Sequence, residues 1–346
     1  MKSRWHHAMR LMFVVMAMTL VLTGCGDPTL SALMPSGPVA ESQFWLMKLT
    51  GGIMTGVFVV VFALWAYVLL RYRKKPGQTG YPKQVEGSHK LEIIWTVIPF
   101  VLLIIMAIPT VTIGFNLEKQ YGKEEAMQIN VTAHQFWWEF EYPELGIHTS
   151  QDLYIPTGKK IQFTVTSADV IHAFWIPPLG GKIDTNPGEE NKLWLQADKP
   201  GVYKGKCAEL CGASHALMDF KVVAVDQAKF DEWTNKIKTA SVDGKTDLAK
   251  QGQEVFKKSC IGCHAVGSEG GKLGPNLTGF ASRERLAGIL QNNPEELKKW
   301  LKDPQSIKPG NKMPNLNLPD DQVDALVEYL GGLKLDFDHG LNKTAQ

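Results

Sequence analysis

Two long uncharged stretches constrain this chain more than any other feature. Residues 49–70 and 93–117 contain no Asp, Glu, Lys, Arg or His. Each is long enough to cross the hydrocarbon core of a bilayer as an α-helix, which needs about 20 apolar residues. Between them, "RYRKKPGQTGYPKQVEGSHK" holds six Lys or Arg against one Glu. Cytoplasmic loops collect positive charge. The pattern therefore predicts spanning helices over 46–70 and 91–117, joined by a cytoplasmic loop over 71–90. Two buried helices of a soluble protein could match the apolar runs but not the charge asymmetry at the turn. A hairpin of this kind places the N-terminal segment and everything after residue 117 outside.

Ahead of the hairpin, Lys2, Arg4 and Arg10 form a basic start, followed by an apolar stretch of twelve residues, 11–22. That is too short to span a membrane and suits the core of a secretion signal. It ends in "LTGC", residues 22–25, which resembles a bacterial lipoprotein box. The resemblance implies a signal peptide over 1–24, cleavage before Cys25, lipidation of its thiol, and an extracytoplasmic segment over 25–45. The residues leave open an uncleaved anchor with an incidental cysteine.

After the hairpin the texture changes. Over 118–225, short alternating runs such as "MQINVTAHQFWWEFEY", "KKIQFTVTS" and "DFKVVAVD" are separated by turns ("YPELG", "IPTGK", "DKPG"), the pattern of an all-β sandwich or barrel. Residues 226–247 are polar and charged with helical potential and read as a linker. From 248 to 346 the runs "AKQGQEVFKK", "PEELKKWLKDP" and "DDQVDALVEYLGGLK" predict helices. Asp320 and Asp321 suit the start of the last helix, and Gly331 follows its apolar run as a stop signal. A net charge of +2 with no basic stripe gives no sign of a nucleic-acid partner.

Composition matters most through cysteine. The five cysteines are Cys25, Cys207, Cys211, Cys260 and Cys263, and their tight local spacing leaves no pair for a structural disulfide framework. "CIGCH", residues 260–264, has the C-x-x-C-H spacing that attaches a c-type haem: two thiols add to the haem while the adjacent His264 ligates iron. A thioredoxin-like redox pair is the alternative, and the helical surroundings disfavour it. Met313, in "NKMPN", is the sole methionine after residue 218. Its placement resembles the axial methionine of class I cytochromes c, opposite the histidine, where it raises the potential and closes the iron to substrates. His339 is the other candidate ligand in this domain.

"CAELCGASHALM", residues 207–218, packs two cysteines, a glutamate, a histidine and a methionine into one loop. Structural zinc takes four ligands in a closed tetrahedron, commonly from C-x-x-C knuckles; these cysteines are four apart. A blue-copper centre takes one Cys, two His and a weak axial Met. One thiolate too many for one copper suggests two coppers sharing both sulfurs. His172, in "SADVIHAFWIPPLGGKID", closes a β-like segment where a cupredoxin presents its upstream histidine. A lone Met218 would more often be core, and His134 and His148 read as ordinary satisfied or surface histidines.

Together these motifs resemble the cytochrome c oxidase subunit II family, in its bacterial form with a cytochrome c domain fused at the C-terminus. The resemblance spans almost the whole mature chain. The implied fold is a multidomain membrane protein: a two-helix transmembrane hairpin, an all-β cupredoxin-like domain and an all-α class I cytochrome c domain. The resemblance implies covalent haem c on Cys260 and Cys263 with His264 and Met313 axial. It implies a dinuclear copper centre, CuA, with Cys207 and Cys211 bridging. His172 and Met218 would complete one copper; His215 and the backbone carbonyl of Glu209 would complete the other. The Glu209 side chain would face a magnesium site at the border with subunit I. Glu92 would lie at the mouth of a proton-uptake path. The family's aromatic segment is "HQFWWEFEY", in which Phe136 stands where members served by a soluble cytochrome c carry the Trp through which electrons come in; Trp137 and Trp138 remain.

Function follows as electron input to a terminal oxidase whose oxygen chemistry, with proton pumping, lies in another subunit. The implied partners are haem-copper oxidase subunit I, other oxidase subunits, the membrane, and a donor such as a cytochrome c or a quinol-cytochrome c reductase. The implied location is the bacterial plasma membrane, multi-pass, with both metal domains on the extracytoplasmic face. Alternatives are the equivalent subunit of a nitric oxide reductase and a membrane-tethered copper-binding or copper-delivery protein. A quinol oxidase subunit II shares the fold but lacks the copper ligands.

Overall fold

The computed structural model describes residues 2–22, 26–81, 84 and 86–341; Cys25 lies outside them. Three long helices come first: α1 (Lys2–Leu22), α2 (Pro38–Tyr72) and α3 (His89–Leu117). Residues 41–119 form a compact unit of their own. Within it the apolar side chains of α2 and α3 stay exposed along the spanning windows, as lipid-facing helices require. Both helices begin earlier than the uncharged runs, because a helix continues through flanking polar residues while hydropathy marks only the hydrocarbon-length part. Pro99 and Pro109 lie inside α3. Near Pro109, Thr110 and Thr112 donate their hydroxyls to the carbonyls of Met106 and Ile108, which keeps their own polar atoms satisfied within the helix.

Ten strands build the β domain: β1 (Met127–His134), β2 (Trp137–Tyr142), β3 (Ile147–Ser150), β4 (Asp152–Pro156), β5 (Ile161–Ser167), β6 (His172–Trp175), β7 (Ile183–Thr185), β8 (Asn191–Leu195), β9 (Gly201–Cys207) and β10 (Asp219–Val225). They form two five-stranded sheets, ordered β3-β2-β1-β5-β8 and β4-β10-β9-β6-β7. The period-2 alternation explains the core: Ile129, Val131 and Ala133 of β1, and Ile161, Phe163 and Val165 of β5, are fully buried. Trp138, Phe174 and Phe220 meet between the sheets with ring centroids 5.0–5.5 Å apart, and such pairs add about 0.5–1.5 kcal/mol each beyond their buried area. Gln151, with φ +68°, carries the chain from one sheet to the other. Its buried amide accepts from Trp138 N–H and donates to the Asp219 carbonyl, joining β2 to β10.

The stretch whose composition reads as a linker folds over most of its length as α4 (Gln227–Lys238). Phe230, Trp233 and Ile237 recur at helical spacing and are buried. Trp233 stacks on Tyr154 of β4 at 4.6 Å and Phe230 lies near Tyr142. Charge on the outer face masked this inward stripe.

The C-terminal domain contains α5 (Asp247–Ser259), α6 (Pro294–Lys302), the single turn α7 (Pro304–Ile307) and α8 (Asp320–Gly332), with two short β-ribbons in its loops. Helices α5 and α8 cross closely: a Cβ on Gly252 would sit 2.0 Å from the Ala325 carbonyl oxygen, so only glycine permits the approach. Phe256, Leu297, Leu326, Tyr329 and Leu330 form the core. This domain rests on the β domain. Ser214 Oγ donates to the Pro309 carbonyl at 2.7 Å, Lys221 pairs with Glu284 at 2.9 Å, and Arg283 donates to Ser150 Oγ.

Candidate metal sites

The loop between β9 and β10 gathers the soft donors. Cys207 is the last residue of β9 and Met218 immediately precedes β10; Cys207 N–H donates to the Met218 carbonyl and closes the loop at its base. A 3-10 turn over His215–Leu217 turns His215 inward. His172 opens β6, which pairs with β9, so a residue 35 positions upstream reaches the loop. The sulfurs of Cys207 and Cys211 are 3.8 Å apart. His172 Nδ1 lies 3.8 Å from Cys207 Sγ, and His215 Nδ1 lies 3.6 Å from Cys211 Sγ. Met218 Sδ is 3.8 Å from Cys211 Sγ, and the Glu209 carbonyl oxygen 3.2 Å from Cys207 Sγ. His172, Cys207, Cys211 and Met218 are buried, while the Glu209 side chain points to the exposed side.

The surroundings hold these donors in place. His172 Nε2–H donates to Asp169 Oδ1 at 2.8 Å, which leaves Nδ1 bare toward the sulfurs. Asp169 also accepts from the backbone N–H of Val170 and Gln135, and from Lys312 Nζ at 2.9 Å. Burial opposes its charge, but these bonds prevail and hold the carboxyl well below the usual range. Burial outweighs the bond to Asp169 at His172 and pulls its pKa down, which favours the neutral ring that ligates metals. Burial and the neighbouring Cys207 push the Cys211 thiol up to about 12. Gln135 Nε2 donates to the Cys211 carbonyl at 2.6 Å. Two thiols, two imidazoles and a thioether make a soft donor set of the kind copper takes.

The "CIGCH" motif sits at the end of α5. Cys260 caps that helix half-buried, Cys263 is exposed, and burial raises the Cys260 thiol to about 11. His264 Nδ1–H donates to the Pro275 carbonyl at 2.9 Å, so Nε2 carries the free lone pair an iron needs. Burial lowers its pKa. A Cβ on Gly274 would lie 2.8 Å from the imidazole, so glycine allows the loop to close over the ring. Met313 is half-buried in the loop after α7, its N–H bonded to Asn311 Oδ1. His339 sits among Asp338, Lys221, Asp152 and Glu284.

The remaining sequence candidates separate by burial. Trp138 is core and edges toward His172 at 6.2 Å. Phe136 is buried against the C-terminal domain's Gly310, and Trp137 stacks on His134 at 4.1 Å. His134 is satisfied by Glu139 at 3.2 Å and His148 pairs with Glu141. Glu92 is exposed in the first turn of α3. Sequence reasoning missed Asp169, Gln135, Ser214 and Lys312. Asp169 carried one readable signal, its position three residues before His172.

The family described as "Cytochrome C oxidase subunit II, periplasmic domain" matches residues 145–225, and its "transmembrane domain" counterpart matches 32–113. "Cytochrome c" matches 249–334. A cytochrome c oxidase subunit 2 of Bacillus sp. (strain PS3) is 50% identical, with 94% of this chain and 98% of the relative covered. That of Alkalihalophilus pseudofirmus is 49% identical, with 92% and 95% covered. The chain belongs to the cytochrome c oxidase subunit 2 family. Among solved structures, the periplasmic domain of subunit II of the cytochrome oxidase of Bradyrhizobium japonicum is 34% identical, covering 32% of this chain and 91% of that one, with a TM-score of 0.31.

Membership in the subunit 2 family makes the chain the electron-input subunit of a respiratory terminal oxidase, part of an oxidoreductase complex. It implies CuA copper in the β domain and haem c in the helical domain, and the side chains present fit both. The chain is a membrane protein with an extracellular domain and works with other oxidase subunits. The nitric oxide reductase and copper-delivery alternatives are not favoured.

Proposed function

We propose that two coppers would be held by Cys207 and Cys211 together with His172, Met218, His215 and the Glu209 carbonyl. Haem c would be held by Cys260 and Cys263 through thioether bonds and by His264 and Met313. When bound, these groups relay single electrons toward a haem-copper site in subunit I, where oxygen is reduced to water with proton pumping. The protein's part is positional. The β9–β10 loop and β6 bring the donor atoms together. The Asp169 carboxylate sets the tautomer of His172, and the Pro275 carbonyl sets that of His264. The observation that carries this reading is the convergence of Cys207, Cys211 and His172, whose donor atoms all lie within 4.8 Å of one another.

The reading extends to the flanks. The basic loop after α2 stays in the cytoplasm, so α2 and α3 form a transmembrane hairpin with both metal domains outside a bacterial plasma membrane. Residues 1–24 act as a signal peptide and Cys25 carries lipid. The exposed Glu209 side chain faces a magnesium ion at the border with subunit I. Glu92 feeds a proton path; Glu92→Gln should slow oxidase turnover while leaving copper reduction unchanged in rapid-mixing measurements. The segment around Gly310 covers Phe136, so a soluble cytochrome c or a quinol-cytochrome c reductase delivers its electron to the haem domain and not at Phe136.

Purification of the intact complex, followed by optical and EPR spectra with and without a reduced donor, tests the central assignment. The expected result is a mixed-valence dicopper signal together with a c-type haem band. Metal-replete protein without the dicopper signal would overturn it.

A further inference from the structure

The two metal sites are joined by a continuous set of contacts. Lys312 is the residue immediately before Met313. Its Nζ lies 2.9 Å from Asp169 Oδ2, across the boundary between the two domains. The other oxygen of the same carboxylate accepts from His172 Nε2 at 2.8 Å, and the far side of that ring faces Cys207 Sγ. Three residues earlier, the Pro309 carbonyl accepts from the fully buried Ser214 of the copper loop. A Cβ on Gly310 would stand 3.6 Å from both Ala213 and Phe136. The segment 308–313 thus lies directly on the loop that carries Cys211 and His215.

Resting on the reading of His172 as a copper ligand and Met313 as a haem ligand, we infer that Lys312 and Asp169 form an interdomain latch. It seats the haem-ligand segment on the copper loop and makes the copper potential depend on that seating. The reasoning is electrostatic. A carboxylate bonded to the outer nitrogen of a metal-bound imidazole makes the ligand more electron-rich and favours the oxidised metal. An ammonium on the same carboxylate withdraws that charge. Asp169 is nearly buried, with its side chain 10% exposed, so little solvent screens its effect on the ring. Seated, Lys312 offsets the carboxylate and the copper potential is high; unseated, the carboxylate acts alone and the potential falls. The acceptor is therefore most receptive when its tethered donor is in place. Lys312 and Asp169 are positioning residues, since neither touches a metal-bound atom in this arrangement.

The test uses the intact oxidase complex carrying Lys312→Met, Asp169→Asn, or both. The Lys312 side chain is 62% exposed, so its replacement leaves folding intact. For Lys312→Met, redox titration should show a lowered copper potential. Haem-to-copper electron transfer after a light-triggered reduction should slow by up to about fivefold, as the loss of one partly exposed ion pair from the seated state allows. Amide hydrogen exchange should quicken at residues 308–313. In the Asp169→Asn background, adding Lys312→Met should change the copper potential no further. An unchanged potential in Lys312→Met, unchanged exchange at 308–313, or additive effects in the double variant would each overturn the latch. Failure of the underlying ligand assignment looks different: the unaltered complex would itself lack the dicopper signal.

Discussion

The copper loop and the haem motif are both short, dense in ligands and close together in sequence, yet they are built in opposite ways. The proposed copper donors belong to the core of the β domain. His172 and Met218 are fully buried, Cys207 and Cys211 nearly so, and Trp138 edges up against them. The haem motif is enclosed by loops more than by strands: Cys260 and Ile261 pack against the helical core of Phe256, Leu326 and Leu330, and Gly274 closes over the His264 ring. A site made from the core ties metal chemistry to stability.

That contrast can be broken or sharpened by substitution. The largest effect should come from Cys207→Ser, which should abolish the dicopper EPR signal and lower bound copper to background by elemental analysis while haem c is retained. Equal loss of haem would break the separation of the two sites. Next, Trp138→Ala should destabilise the β domain by about 3–5 kcal/mol, as emptying a packed aromatic position does, and should lower copper occupancy along with the melting temperature. In the haem motif, Cys263→Ser should weaken covalent haem, read as haem staining on a denaturing gel, and leave β-domain melting unmoved. Gly274→Ala drives a methyl into the His264 ring and should reduce haem incorporation several-fold, with copper content constant. The smallest structural change should follow Met218→Leu, a volume-conserving swap costing under about 1.5 kcal/mol. There the copper potential should shift while the thermal unfolding curve stays in place; a large drop in stability would recast Met218 as a packing residue.

The two regions also differ in how readable they were. The "CIGCH" and "CAELCGASHALM" motifs announce their chemistry because their ligands are local, and the hairpin announces itself through uncharged length. His172 needed the family resemblance, since only the pairing of β6 with β9 brings it to the loop. Asp169 carried only its position three residues before His172, and Gln135 and Lys312 were silent, because their roles arise from contacts between segments far apart in the chain. Lys312 reaches Asp169 across 143 positions, and no periodicity encodes such a pairing. The helix over 227–238 was half legible: its helical potential was visible, but Phe230 and Trp233 acquire a partner only once Tyr142 and Tyr154 lie side by side on β2 and β4. The candidate ligands were written in sequence; the groups that bond to them came from topology.

Helix α4 has one more consequence. With Trp233 stacked on Tyr154, the leash to the haem domain starts at the end of that helix and is shortened again where Tyr329 Oη donates to the Val242 carbonyl. Even as free coil, residues 239–246 would reach only about 16 Å. A tether of that reach keeps the effective concentration of one domain around the other on the order of millimolar. Seating of the haem domain is then first-order, independent of how much donor the surrounding compartment holds. Weak, quickly broken contacts suffice at the junction, and a domain that lets go is back before a competitor can diffuse in.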